Sequence, residues 1–433
     1  MLDKLGLPSW SIIISRIGRR MYGIDAITAR IRHRVTPAAD DYPALVTYHG
    51  LPRRIRKVGA PIGVIIVLGT VTGLIVIGLT AAHPVGTGIG FALSSVAMTI
   101  VVLAYLWLDR WEPEPPRLLV LAFLWGASVA VVISTILQLT LEATINPGQT
   151  ETVSPVSIVL GAPLTEEAAK GLFLLLMMTG RRRNELNSLT DCLVYAGLVG
   201  AGFAWLEDIL YIGGGESVSE SLATAALRLI IAPFAHSLFT TMFGIGVYFA
   251  LQQRSFIAKA LYILLGYAGA VIMHGLWNGS SLLSVEAYFL TYLFWMVPVF
   301  VLVILLGVSS RRREQRVVAS KLPGMVAAGL VTPNEATWLG SMRNRKAAIN
   351  EATRFGGKPA RKAVKNFGSQ VVELAFVRDR IDRGFGDQRV FVLQQEEVNG
   401  VAAARSAAPA LQSLAGYRAP SGPPRPSSGR SRR

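Results

Sequence analysis

The chain has 433 residues, 52% of them hydrophobic and only 16% charged, with a mean hydropathy of +0.44 and a formal net charge of +16 at pH 7. A soluble chain carries about 25% charged residues, so this composition excludes an ordinary soluble enzyme. The charge is also segregated: only nine of the 43 Lys and Arg fall between residues 59 and 308, leaving an apolar centre between two basic ends.

Residues 1–58 form a basic N-terminal segment. In it Ile12, Ile13, Ile14 and Ile17 lie beside Arg16, Arg19 and Arg20, a pattern suited either to the anionic cytoplasmic leaflet or to solvated juxtamembrane charge. The early apolar run, residues 10–14, is too short for a signal-peptide core and lacks a small-residue cleavage site, so no secretory signal is expected.

A bilayer core of roughly 30 Å needs about 20 mostly apolar residues per helix. Eight such runs follow, at 59–82, 88–108, 118–141, 156–178, 193–212, 228–251, 260–280 and 287–306. They predict an all-α polytopic membrane protein, a bundle of about eight transmembrane helices over 59–308 with basic cytoplasmic N- and C-terminal extensions. Seven of the nine central cations sit in alternate loops: Arg110 and Arg117, then Arg181, Arg182 and Arg183, then Arg254 and Lys259. The loops between, at 83–87, 145–155, 213–221 and 281–286, contain none, and positive residues in short loops stay inside. Both termini are therefore expected in the cytoplasm, with the chain in the cell membrane. The single cysteine, Cys192, falls at the cytoplasmic end of the fifth run, which leaves neither an internal disulfide nor a thiolate metal site.

After residue 308, Arg311, Arg312, Arg313 and Arg316 anchor the last helix, and 309–399 reads as a basic, partly helical cytoplasmic region. Thr332-Pro333-Asn334-Glu335 is a helix start, with a hydroxyl cap, proline at the first helical position and glutamate at the third. The Ala, Ser, Pro, Gly and Arg mixture of 400–433 predicts disorder. The basic tail has no zinc-finger spacing and no aromatic RNA-binding pattern, and proximity to a membrane explains its charge more simply than nucleic acid does.

An ionisable side chain at the centre of a spanning helix costs about 2.5 to 3.5 kcal/mol on insertion scales, so it normally faces a polar cavity and marks function. Four runs carry such groups. The fourth has Glu166, Glu167 and Lys170. Glu166 lies about ten residues, roughly 15 Å, below the outer end and shares a helical face with Lys170, its natural counter-ion. Gly161 and Pro163 predict an interruption just before, with a second half-helix aiming its positive end at the carboxylates. The fifth run has Glu207 on one face with Phe203 and Tyr211, followed by Asp208. The sixth has Arg228, Pro233, His236 and, one turn on, Thr240; Arg228 suits either an outer-interface position or pairing with Glu207. The seventh has His274 and Asn278 on one face, where the amide can orient the imidazole or donate to an oxyanion.

Glu166, Glu167, Glu207, His236 and His274 all lie from the midplane to the outer third. Together they supply what peptide hydrolysis needs: a carboxylate base, an activated water, and donors or a metal for the developing oxyanion. Neither a His-Glu-x-x-His zinc motif nor a Gly-x-Ser-x-Gly elbow is present.

Four motifs in order, Glu166-Glu167-x-x-Lys170, the Gly-x-Phe-Ala-x-x-Glu segment ending at Glu207, Pro233-x-x-His236 and His274-x-x-x-Asn278, resemble the PrsW family of intramembrane proteases, distant relatives of the CAAX prenyl endopeptidases. Glu112-Pro113-Glu114-Pro115 and the Phe-Leu-Trp-Gly-Ala stretch at 123–127 resemble the segment that precedes the first motif. The resemblance covers about residues 60–305. It implies cleavage of a transmembrane protein substrate near the outer half of the bilayer, in regulatory proteolysis such as that of an anti-sigma factor. By analogy it makes Glu166 the general base, Glu167 and His236 partners of water or metal, and His274 with Asn278 partners of the oxyanion or metal. Lys170 tunes the carboxylates, with Asp208 and Arg228 in support. If zinc is the cofactor, His236, His274 and Glu207 are its expected ligands. Asp208 departs from the family pattern, which has asparagine there, and as an aspartate it needs a proton or a partner.

Two other classes compete with an enzyme. A proton-coupled transporter predicts a polar path across the whole membrane, but the inner half offers only Asp191 and no internal repeat is evident. A non-catalytic scaffold or immunity protein of the same fold would have no need to keep both glutamates and both histidines. The expected partners are the membrane, a transmembrane substrate and, for the basic ends, anionic lipid head groups.

Overall fold

The structure is a computed structural model that describes residues 62–111, 113–147 and 153–419. The amphipathic N-terminal segment, the signal-peptide question and the tail beyond residue 419 lie outside the described residues. No strand occurs among them, and hydrocarbon explains why: a helix satisfies every backbone donor and acceptor within its own segment.

Seven stretches are long and apolar enough to cross a membrane. Five are α1 (Ile62–Ala82), α2 (Pro84–Leu108), α3 (Pro116–Ile145), α5 (Leu189–Gly213) and α8 (Phe256–Leu283). The sixth, Val218–Leu251, contains α6 (Val218–Ala225), a π-helical turn (Ala226–Ile231) and α7 (Ala235–Leu251), and the seventh is α9 (Val285–Ala327). The eighth expected span is α4 (Ala162–Met177), set apart from the seven by Glu166, Glu167 and Lys170. The protein is thus a multi-pass, all-α membrane protein.

The chain divides into two compact units, residues 53–317 and a second containing the described residues 318–419. The division falls inside α9, which runs without interruption from its apolar half into the Arg311 cluster.

In the membrane unit α5 is the central helix. Val194, Tyr195, Ala196, Val199, Ala201, Ile209 and Ile212 have no exposed surface, and α2, α3, α4 and α7 all pack against α5. Trp125 of α3 is buried and donates its indole N–H to the Ala169 carbonyl of α4 at 3.0 Å, tying a second pair of helices together. Peripheral helices turn Ile66, Val67, Leu74, Ile77, Leu264, Leu302 and Leu305 outward, the apolar belt that lipid requires.

Two irregularities position the site, and both differ from the expectation. No break occurs at Gly161 and Pro163. Instead a π-helical turn, Ser157–Gly161, leads directly into α4. In that wider register the Ala162 N–H reaches the Ser157 carbonyl, so the bond due next, from residue 163 to Ile158, is the one proline cannot make. Asn278 of α8 donates its side-chain amide to that Ile158 carbonyl at 3.0 Å. The true break lies in the expected sixth helix, at residues 232–234. Pro233 lacks the N–H that a continuous helix requires, and Ala232 before it leaves the helical region at φ −125° and ψ 40°. His236 therefore stands in the first turn of α7.

Glycine makes the approaches close enough. A Cβ on Gly200 of α5 would lie 2.6 Å from the His236 carbonyl oxygen, and one on Gly275 of α8 would lie 2.7 Å from the Val159 carbonyl oxygen.

The second unit contains α10 (Pro333–Leu339), α11 (Met342–Arg380), α12 (Gln388–Ser406) and the short α13 (Ala410–Ser413). Thr332 and Glu335 form the expected reciprocal cap of α10. Gly357, at φ 63°, breaks α11 in a conformation that favours glycine. Expected disorder from Gly400 onward is corrected as far as residue 419. Helix α12 continues to Ser406, Val401, Ala404, Ala408, Leu411 and Leu414 are buried, and Arg405 pairs with Glu335 at 2.5 Å. Small apolar residues at helical spacing bury a face that overall composition conceals.

Candidate functional site

One turn of α4 presents Glu166, Glu167 and Lys170 to the interior of the membrane unit, where all three are buried. The fully buried Lys170 ammonium has three acceptors: Glu166 Oε2 at 3.2 Å, Glu167 Oε1 at 2.8 Å and His236 Nδ1 at 3.1 Å. Three N–H bonds exhaust its donors, and Phe203 covers it with its ring centroid 3.7 Å from Nζ.

The two glutamates differ. Glu167 has no exposed surface, with Lys170 and His274 Nδ1 (3.1 Å) on Oε1 and the Thr240 hydroxyl (3.1 Å), which also faces the His236 carbonyl, on Oε2. Glu166 keeps a little exposure, and its Oε1 accepts only the Gln138 amide, at 3.2 Å.

His236 is held from both sides. Its Nε2 lies 2.6 Å from Glu207 Oε2, while Nδ1 faces the Lys170 ammonium. An ammonium can only donate, so Nδ1 is the acceptor and the ring proton sits on Nε2, bonded to Glu207. On the same argument His274 donates from Nδ1 to Glu167, leaving its Nε2 lone pair 3.9 Å from Glu166 Oε2. Phe239 stacks on the His274 ring with centroids 4.7 Å apart and fixes its plane.

Behind His236, Arg228 bridges Glu207 at 2.5 Å and Asp208 at 2.6 Å, and its guanidinium lies 4.4 Å from the centre of the Tyr211 ring. Arg228 is thus the partner that Asp208 requires. The network runs Asp208, Arg228, Glu207, His236, Lys170, and it ends at the paired glutamates of α4.

Of the residues singled out by sequence, Glu166, Glu167, Lys170, His236 and His274 converge directly. Glu207 stands on the far ring nitrogen of His236, with Arg228 and Asp208 beyond it. Asn278 does not reach the His274 ring, because its amide is used on Ile158. Gln138 was not foreseen; its only sequence signal is a lone amide among the hydroxyl and apolar residues of α3.

The arrangement also suits a metal. Glu166, Glu167, His236 and His274 each offer one ligand atom, all within 4.8 Å of one another. Two imidazoles and two carboxylates form a donor set that zinc accepts. With the acids ionised, Glu166, Glu167, Glu207 and Asp208 outnumber Lys170 and Arg228, an excess of negative charge that a divalent cation would balance.

Comparison with known proteins bears directly on this geometry. Residues 114–303 match the family described as PrsW family intramembrane metalloprotease, a stretch that contains every side chain of the cluster. Among curated proteins, Protease PrsW of Geobacillus kaustophilus is 27% identical over 187 residues, covering 43% of this chain and 76% of that protein. Protease PrsW of Clostridioides difficile is 24% identical over 186 residues, covering 42% of this chain and 76% of its own length. No solved structure matches the chain.

Proposed function

We propose, from the premise that residues 114–303 are a PrsW-family domain and the chain is accordingly an intramembrane peptidase, that Glu166 is its general base and that it hydrolyses a peptide bond of a transmembrane protein substrate. The observation that carries the assignment is the contrast between the paired carboxylates. Glu167 is fully buried among Lys170, His274 and Thr240, whereas Glu166 retains exposure and an oxygen that meets the Gln138 amide.

Glu166 accepts the proton of the attacking water and returns it to the leaving amine nitrogen. Lys170 holds both carboxylates in place and stops them from repelling each other apart. Glu167 fixes the His274 ring through Nδ1, and Glu207 fixes the His236 ring through Nε2, so both remaining lone pairs turn to the reacting centre. Zinc, held there by Glu167, His236 and His274, would polarise the scissile carbonyl and acidify the water. Asp208 and Arg228 brace Glu207, and Asn278 braces the π turn that presents α4.

The arginine-bearing loops at 110–117, 181–183 and 254–259 support cytoplasmic termini, and the site residues lie from mid-bilayer toward the opposite surface. That depth fits cleavage in the outer half of the bilayer, as in regulatory proteolysis of an anti-sigma factor. Lys358, Arg361, Lys362 and Lys365 are exposed on one face of α11, and anionic lipid head groups are the partner this face suits.

The test pairs wild type with Glu166→Gln in liposomes, incubated with single-pass membrane proteins and read by mass spectrometry with and without a zinc chelator. Wild type is expected to cut, and the variant to be slower by at least about 100-fold, the lower end of general-base catalysis. Equal rates would remove Glu166 from the chemistry.

A further inference from the structure

The position of Lys170 has a consequence for the metal. Its ammonium is bonded to Glu167 Oε1 at 2.8 Å and to His236 Nδ1 at 3.1 Å, two of the three atoms that would hold zinc in the reading above. It is also bonded to the base, Glu166, at 3.2 Å.

His274 keeps its Nε2 lone pair, but His236 offers no alternative. Nε2 of His236 is committed to Glu207, so Nδ1 is its only free lone pair, and that lone pair points at Lys170. The second oxygen of Glu167 faces the Thr240 hydroxyl, whose single hydrogen is shared with the His236 carbonyl, so the overlap with the ammonium lies at Glu167 Oε1 and His236 Nδ1. A metal–ligand bond of about 2.0–2.2 Å requires a lone pair directed at the metal, and these lone pairs are directed at the ammonium. The ammonium and a metal ion therefore require the same electrons.

We propose that Lys170 and a divalent metal ion are alternative cations of this site, competing for Glu167 and His236, so that Lys170 sets the affinity for metal. The side chain is a built-in counter-ion that keeps the two glutamates together while no metal is bound. It must leave them when metal enters. Its ammonium lies 3.7 Å from the centre of the Phe203 ring, an aromatic face beside it that does not compete for the carboxylate electrons. The proposal rests on the ligand set named above but not on catalysis, and the two are measured separately.

The experiment uses the full chain in nanodiscs and reads zinc affinity by competition with a chromophoric chelator. Lys170→Met keeps the length and apolar stem and removes the charge. It is expected to bind zinc at least tenfold more tightly than wild type, with wild-type affinity restored by Lys170→Arg. Unchanged or weaker affinity in Lys170→Met overturns the proposal, as does zinc binding to neither protein.

A second measurement needs no variant. Acetylation of Lys170 by a small membrane-permeant reagent is quantified by mass spectrometry in wild type, with and without saturating zinc. Zinc is expected to raise Lys170 labelling at least fivefold; bound zinc with Lys170 still protected overturns the competition. A wild type that cleaves substrate while failing both tests leaves Glu166 as base and removes only this inference.

Discussion

Helix α5 carries buried acids at both ends, and they are held in opposite ways. At its start, Asp191 accepts the backbone N–H groups of Asn187 and Ser188, the single hydrogen of the Ser188 hydroxyl is shared between Asp191 and Glu314 of α9, and Glu314 also accepts the Thr190 hydroxyl. Nearby, Glu114 accepts the Tyr195 hydroxyl at 2.6 Å. Fifteen or so residues further along, Glu207 and Asp208 meet a guanidinium, and Glu207 also meets an imidazole that leads to an ammonium. The first end closes a cap and joins α5 to α9 through hydroxyl and backbone N–H donors that hold a conformation. The second gathers groups that change charge or lend lone pairs, where several helices bring them together. A buried acid in a membrane helix is therefore not itself a mark of catalysis; the chemistry of its partners is.

The sharpest way to break this comparison is to remove the cation from the second end. Arg228→Met leaves the buried Asp208 without its counter-charge and the half-buried Glu207 with His236 alone in direct contact, and it should cost on the order of 3 kcal/mol, seen in thermal unfolding in nanodiscs. Glu207→Gln is milder for the fold and decisive for function. It can still bond the His236 ring but no longer holds it by charge, and cleavage should fall by about 10- to 100-fold. Asp191→Asn should do the reverse, lowering stability while each folded molecule cleaves at the wild-type rate. If Asp191→Asn slows cleavage as much as Glu207→Gln, the two ends are not functionally distinct.

Much of the second end was legible in the sequence, for a physical reason. The spacing of Glu166 and Lys170 is one helical turn, and His236 and His274 are the two histidines within apolar runs, so cost alone argued that they meet. What spacing could not convey was which nitrogen or oxygen faces which neighbour. Asn278 shares a face with His274, yet its amide serves the carbonyl that Pro163 leaves unbonded. That need exists only because the chain takes up a residue in a π turn where Gly161 and Pro163 suggested a break. The real break at 232–234 carries the same kind of signal, a lone proline, and spacing alone does not tell the two outcomes apart. The helix beyond Gly400 was hidden because alanines bury a face without raising hydropathy much.

The first end offers a pH test. Asp109, which follows α2, is pushed up to about 7, chiefly by burial and further by the charge of Glu314, against the N–H of Glu114 that bonds its Oδ2 at 2.9 Å. A carboxyl whose native value lies above its unfolded value of 3.8 binds its proton more tightly when folded. The stability it contributes is present below about pH 4 and is lost as pH rises through about 7. Asp109→Asn keeps the acceptor and removes the charge. At pH 8 it should unfold later than wild type, by on the order of 2 kcal/mol, and the gap should close as pH falls toward 4. A gap that does not depend on pH would mean that Asp109 is already neutralised by a cation.

The smallest effect separates a cap from a charge at that same end. Ser188 accepts the Asp191 N–H while Asp191 accepts the Ser188 N–H, the reciprocal arrangement that starts α5. Ser188→Ala removes one half of the box and one donor to Glu314, and it should cost about 1 kcal/mol. Ser188→Thr should recover most of that, since the hydroxyl is what the helix start uses. Cleavage by the folded enzyme should be the same in all three proteins, because nothing at this end of α5 supplies a lone pair or a proton to Glu166. A rate that follows the stability of the cap would instead mean that α5 transmits strain along its length, and the two ends would have to be treated as one site.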